Sequence, residues 1–320
     1  MLKDLHGRLR PLGITDILDE TIDLYRSNFV LLVGISGVLN VPYAVLSGLL
    51  EASKAGAGMT GSVLNLLAAV VIGSLVTGAL TFAISDRYLG RPTSVGASYR
   101  RVLKGSVFAP LLGAMLLKDL IAFAPIVVVA VLGAAAIAAA GMQGSTVATA
   151  AAGVGVLGMM LLAFAWAAYF GVRFLLVEPA VILEQVGAGG ALSRSWKLIA
   201  GSWWKGFGLF VIVMGITILI VMTVTAPTTI AIASKTAARQ AVSHSLLAIN
   251  TILTALAQTL MAPWLSIAWI LLYYDMRIRK EGFDLELLAR ELDERTREFR
   301  AQGAASLPQE RPPQDSTRNE

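Results

Sequence analysis

Six apolar blocks dominate the chain, and short stretches of mixed apolar and charged residues separate them. The blocks run approximately over 29–50, 62–85, 108–140, 147–170, 207–226 and 246–274. Each is long enough for the roughly 20 residues that cross a hydrocarbon core. Asn40 and Pro42 interrupt the first and predict a kink there. Pro227 predicts the end of the fifth, and the sixth carries Asn250, Gln258 and Pro263. The third block is too long for one upright span, and it contains Lys118 and Asp119. Either a long tilted or broken helix carries that pair toward mid-membrane, or the span proper is 120–140.

Three intervals change period from continuous apolar to amphipathic helical, over about 15–26, 94–104 and 191–200. In the third, Leu192, Trp196 and Ile199 share one face while Arg194 and Lys197 fall on the other. A helix this short cannot span a bilayer, but it can lie on one. The expected orientation is therefore parallel to the membrane, with the apolar face toward lipid. Gly201-Ser202 stops the helix, and Trp203 and Trp204 stand at the start of the next block, the level indole rings prefer.

The three intervals align as Leu24-Tyr25-Arg26-Ser27-Asn28-Phe29, Val102-Leu103-Lys104-Gly105-Ser106-Val107 and Leu198-Ile199-Ala200-Gly201-Ser202-Trp203. Each reads as an amphipathic helix, a small breaker, then a span. Repeated units with weak internal symmetry are known in membrane folds. In the first copy Asp16, Asp19, Glu20 and Asp23 form an acidic face, which anionic lipid would repel. Arg194, Lys197 and the run Arg277–Lys280 are its expected counter-charges. After the sixth span, 284–302 reads as a charged helix with favourable i,i+4 ion pairs, and 303–320 as a disordered, proline-rich tail.

Composition sharpens the class. The chain of 320 residues is 56% hydrophobic and 15% charged with mean hydropathy +0.71, whereas a soluble domain carries about 25% charged residues. The fold class is all-α, a polytopic membrane bundle of about six transmembrane helices. There is no cysteine, and the two histidines, His6 and His244, are far apart in sequence. Metal clusters, thiol chemistry and disulfides are excluded or unsupported, and no cofactor is expected. A net charge of +5 is too dispersed for nucleic-acid binding. No secretory signal peptide is visible, since the first apolar run begins near Phe29. Basic residues crowd before the first span, between the second and third, between the fourth and fifth, and after the sixth. That bias puts both termini and all three amphipathic helices on the cytoplasmic side.

Candidate chemistry is sparse. Gly153, Gly155 and Gly158 spell a dinucleotide-like pattern, but inside a span they predict close helix packing. Lys118 and Asp119 form a candidate intramembrane polar site, with Asn250 and Gln258 as expected partners from the sixth span. The alternative is a structural pair near an interface. Arg173, Glu178 and Glu184 read as an ion-pair group at the membrane edge. Arg194, Trp196, Lys197, Arg277, Arg279 and Lys280 are candidate lipid-headgroup or interface residues, with topology determination as the plain alternative. No paired histidine or aspartate motif supports an intramembrane hydrolase.

Three segments together resemble a known family. They are Arg173…Glu178-Pro179-Ala180…Glu184 with Ala191-Leu192-Ser193-Arg194-Ser195-Trp196-Lys197-Leu198…Gly201; Tyr273-Tyr274-Asp275-Met276-Arg277-Ile278-Arg279-Lys280-Glu281-Gly282-Phe283-Asp284; and Leu12-Gly13-Ile14…Leu24-Tyr25-Arg26-Ser27-Asn28-Phe29. They are similar to bacterial proteins labelled as the membrane domain of glycerophosphoryl diester phosphodiesterases. The resemblance implies a multi-pass protein of the bacterial plasma membrane, and a module whose own role is not established. It implies no activity, because in such enzymes a separate soluble barrel does the chemistry with histidines and metal-binding acids. Only the tail follows Asp284 here, against the roughly 250 residues of a barrel, so a catalytic domain is not expected.

Two functions fit this reading. One is a non-enzymatic scaffold, regulator or lipid organiser, with membrane lipids and a protein partner engaged through the cytoplasmic helices and tail. The other is a transporter or permease component using Lys118-Asp119 and the polar sixth span. Substrate, partner and oligomeric state are not legible. The topology is testable: single cysteines at Gly58, Gln143 and Ala237 should react with an impermeant thiol reagent from outside intact cells. One at Gln302 should stay unlabelled, and labelling there contradicts the arrangement.

Overall fold

Where the sequence offers a membrane-length apolar run, the backbone has no alternative to a helix, because lipid cannot satisfy its N–H and C=O groups. The computed structural model describes residues 11–52, 59–142 and 144–282, and among these it contains helices and no strands. In chain order the helices are α1 Ile14–Ser27, α2 Phe29–Ala52, α3 Met59–Tyr88, α4 Val95–Val102 and α5 Gly105–Met142. They continue as α6 Thr146–Arg173, α7 Val177–Glu184, α8 Ala188–Ile199, α9 Trp203–Ala237 and α10 His244–Glu281. Six of them, α2, α3, α5, α6, α9 and α10, are long and apolar enough to cross a membrane. The segments 1–10 and 283–320, which hold the basic lead, the charged helix and the tail, lie outside the described residues.

The helix–breaker–span unit is present three times. Asn28 alone separates α1 from α2, Leu103-Lys104 separate α4 from α5, and Ala200 to Ser202 separate α8 from α9. At the last break Gly201 adopts a left-handed φ of 78°, which glycine reaches without steric cost. The first aligned position, Leu24, Val102 or Leu198, is buried in all three copies. The amphipathic faces pack on protein. Ile17, Thr21 and Leu24 of α1 are buried, and α1 lies against α10. Ser98 and Val102 of α4 face α3. In α8 the buried face is Ala191, Leu192, Ser195, Leu198 and Ile199, against α5, α7 and α10. Leu192 and Ile199 are thus inside the bundle, and Trp196, expected beside them, is 37% exposed.

Two further expectations are corrected, and one helix appears that the sequence did not announce. The helix α9 runs on through Pro227, since breaking a helix in lipid costs more than one missing hydrogen bond. Just past Pro227, Thr228 Oγ1 donates to Asn250 Oδ1 at 2.8 Å and braces α9 against α10. The stretch after Arg173 forms a separate helix, α7, with Val177 to Ile182 all buried. Gly153, Gly155 and Gly158 have no neighbour within 4 Å of where a Cβ would stand, so they do not mediate packing. The close approach of α5 and α6 is at Gly133, where a Cβ would meet Val156 at 2.7 Å.

The core lies at one end. The most apolar windows of α3 and α10 are 50% and 56% buried, while those of the other four spans are 6–17% buried and present their side chains outward. The tightest stretch is Ile267–Met276 of α10 apart from Trp269, together with Leu175–Ile182 and the ends of α3 and α8. Helix α10 is the hub, touching α1, α2, α3, α7, α8 and α9. Replacing Gly133 by Leu should separate α5 from α6 and cost about 1–3 kcal/mol of stability by overpacking. Gly153→Ala should be neutral or slightly stabilising. Thermal denaturation in detergent distinguishes them; equal melting temperatures contradict the packing.

Candidate functional site

The charged residues of the packed end fall into three linked networks. The first centres on Asp275, whose side chain is wholly inaccessible. Its Oδ2 accepts from Lys205 Nζ at 2.5 Å, and its Oδ1 accepts from Arg279 Nε at 2.9 Å and from the Leu12 backbone N–H at 2.8 Å. The same two cations donate to the Leu12 carbonyl, at 2.6 Å from Lys205 and 2.9 Å from Arg279. Arg279 is set on Asp275 by the i,i+4 spacing of α10, and Lys205 by the first turns of α9. The segment before α1, the start of α9 and the end of α10 are joined at one carboxylate.

The second network joins α7, α8 and α10. Arg194 donates from Nε to both Glu184 oxygens, at 2.9 and 2.7 Å, and from Nη2 to Glu281 at 2.7 Å. Arg277 also reaches Glu281, at 3.1 Å, and Tyr273 Oη donates to Glu184 at 2.6 Å. The hydrogen bond to Glu281, and that to Glu184, hold the Arg194 guanidinium above its usual pKa against the opposing effect of burial. Beneath α8, Ser195 Oγ accepts from Leu176 N–H at 3.2 Å and donates to the Arg173 carbonyl at 2.8 Å. That hydroxyl closes the break between α6 and α7. No charge or periodicity signal singled Ser195 out; its place in the centre of the buried face is what would have found it.

The third network pairs Lys118 of α5 with Glu178 of α7, and Asp119 lies 4.0 Å from the same ammonium. Depth follows from helix register. Trp166 Nε1 donates to the Ile121 carbonyl at 2.9 Å, so in the antiparallel α5–α6 pair Lys118 is level with Tyr169. Tyr169 in turn stacks with Trp203, at 5.8 Å between centroids. From Lys118 to Met142 α5 still runs about 36 Å, enough for a bilayer core. The pair is therefore level with the aromatic cluster of Tyr169 and Trp203, and the expected partners are elsewhere. Asn250 is engaged by Thr228 and Thr229, and Gln258 is exposed. The expected group of Arg173, Glu178 and Glu184 does not assemble either: Glu178 takes Lys118, Glu184 takes Arg194, and Arg173 packs 4.3 Å from the Trp196 ring centre. Glu178 was invisible as a partner because sequence carries no record of which helix α7 lies against.

The acidic face of α1 is also relocated. The Asp16 carboxylate caps α1 by accepting the Gly13 N–H at 2.8 Å. Asp19, Glu20 and Asp23 make no ion pair with any described residue; of their expected counter-charges, Arg194, Arg277 and Arg279 serve Glu184, Glu281 and Asp275 instead. On α4, Arg101 bonds Asp86 at 2.6 Å and covers Phe82, while Tyr99 Oη donates to the Ile35 carbonyl at 2.6 Å and its phenol is pushed up to about 12 by burial.

The fold and these networks define a polytopic α-helical membrane protein. Residues 149–302 match the family described as "Membrane domain of glycerophosphoryl diester phosphodiesterase". The match takes in the second network and both Asp275 and Arg279, and it concerns a membrane domain rather than a catalytic one. No curated protein and no solved structure matches the chain. Arg194→Gln leaves Glu184 with Tyr273 alone and Glu281 with Arg277 alone and should cost about 2 kcal/mol, less than a fully buried pair because these groups are part-exposed. Chemical denaturation of the purified variant measures this; an unchanged midpoint contradicts the strut role.

Proposed function

We propose that the chain is a non-catalytic membrane module that holds a rigid platform at the cytoplasmic face of the bacterial plasma membrane and scaffolds or regulates a partner there. The observation that carries this reading is the use made of the charged residues. Asp275, Glu184, Glu281 and Glu178 each take fixed partners from other helices, which suits a structural role. Exposed charges not used in these networks include an acidic pair on α1, Asp19 and Asp23, and a basic group around α4, Arg91, Arg100 and Lys104. Such separated patches favour docking of a complementary protein. The transporter reading draws its site from Lys118, Asp119, Asn250 and Gln258, which belong to separate surroundings here.

Purified full-length protein, with and without added divalent metal, should release no product from glycerophosphodiesters. In sealed vesicles it should move no glycerophosphodiester or glycerol phosphate. Turnover or uptake that disappears in Asp119→Asn overturns the reading.

A further inference from the structure

Seven cations stand at the α8–α10 end, and four of them, Lys205, Arg279, Arg194 and Arg277, are bound to Asp275, Glu184 or Glu281. The other three are Arg173, Lys197 and Lys280, and none makes an ion pair with a described carboxylate. They are also neighbours. Lys280 donates to the Lys197 carbonyl at 3.1 Å and to the Ala200 carbonyl, so it caps the end of α8. Arg173 packs on the ring of Trp196, the residue next to Lys197 in α8. Glu281, beside Lys280, is already engaged by Arg194 and Arg277.

Arg173 is fixed in place rather than solvated. Its guanidinium lies 4.3 Å from the Trp196 ring centre and 5.4 Å from that of Tyr169. Nε and Nη2 point at the Tyr169 hydroxyl, at 3.3 and 3.2 Å, and Nη1 is buried with no hydrogen-bond partner. A guanidinium clamped between aromatic faces is oriented in advance for an oxyanion. Grouping like charges is unfavourable unless an anion joins them.

We propose that Arg173, Lys197 and Lys280 bind the phosphate of an anionic phospholipid, with the aromatic cluster of Tyr169, Trp196 and Trp203 as the wall at headgroup level. A lipid is favoured over a soluble phosphate by what continues from the site. Trp203 stacks on Phe207 at 4.9 Å, Trp204 is 77% exposed, and Val211 and Ile212 further along α9 are exposed apolar side chains. These give acyl chains a surface directly beside the cations. Arg194, which its sequence position nominated equally, is a strut and takes no part. The proposal rests on the platform lying at the membrane edge, and not on what partner the platform holds.

Native mass spectrometry of the full chain, with phosphatidylglycerol or phosphatidylcholine added in equal amounts, tests it. Wild type should retain phosphatidylglycerol preferentially. Arg173→Gln with Lys280→Gln should lower that retention about tenfold. Arg100→Gln with Lys104→Gln on α4 should leave it unchanged, and Lys280→Arg should preserve it. Circular dichroism checks that each variant folds; should the double variant fail, Lys197→Gln with Lys280→Met takes its place. Equal retention of both lipids, or of phosphatidylglycerol by wild type and the Arg173/Lys280 variant, overturns the proposal. Displacement of the lipid by millimolar inorganic phosphate also overturns it, in favour of a soluble ligand. Hydrolytic turnover would remove the proposed function while leaving the retention pattern intact, so the two failures are distinguishable.

Discussion

A carboxylate with no solvent exposure is the constraint on which the packed end depends. Burying Asp275 alone would cost several kcal/mol, and only close, well-oriented partners offset that. Two cations and one backbone N–H surround it, and they come from three places in the chain. The Leu12 carbonyl receives the same two cations, so the peptide before α1 is held through both of its polar groups. Because α10 touches six other helices, whatever fixes its last turns fixes the relative placement of α1, α2, α3, α7, α8 and α9. The arrangement is specific rather than merely adhesive, since a shift of one helical turn would leave a buried charge unpaired.

Order at one end and exposed apolar side chains at the other follow from the solvent on each. Between apolar helices in lipid there is no hydrophobic driving force, so association there depends on close contacts such as Gly133 with Val156 and on polar ties such as Thr228 with Asn250. Where the chain folds short amphipathic helices back onto the long ones, apolar area leaves water as in a soluble core. Thus α1, α4 and α8 contribute to the body. Their buried hydroxyls satisfy carbonyls in the space that a larger side chain would overfill, Thr21 and Ser98 one turn back in their own helices and Ser195 at the Arg173 carbonyl that ends α6.

Much of this was legible in the sequence. The spans follow from length and hydropathy, and the breaks at Asn28 and Gly201 follow from small or polar residues after an amphipathic period, whereas the second break falls at Leu103-Lys104 and leaves Gly105-Ser106 inside α5. What was not legible is pairing across long sequence separation. Lys118 announces that it needs a partner, but nothing in its neighbourhood names Glu178, which belongs to a separate short helix after the fourth span. Arg194 and Lys197 are three residues apart and look alike, yet only Arg194 meets carboxylates. The proline rule failed at Pro227 because it is calibrated in water, where a broken helix can hydrate its ends. The glycine pattern at 153–158 failed because small residues permit close approach without requiring it.

The packed end is a rigid body whose charged residues are organised by internal ion pairs, leaving a small surplus of cations at its rim. That organisation requires Lys205 and Asp275 to be energetically coupled. The direct measurement is a double-mutant cycle in denaturant with Lys205→Gln, Asp275→Asn and the pair combined. Coupling of about 1 kcal/mol or more is the predicted result. Additivity within about 0.3 kcal/mol would contradict the account, because the two groups would then contribute independently.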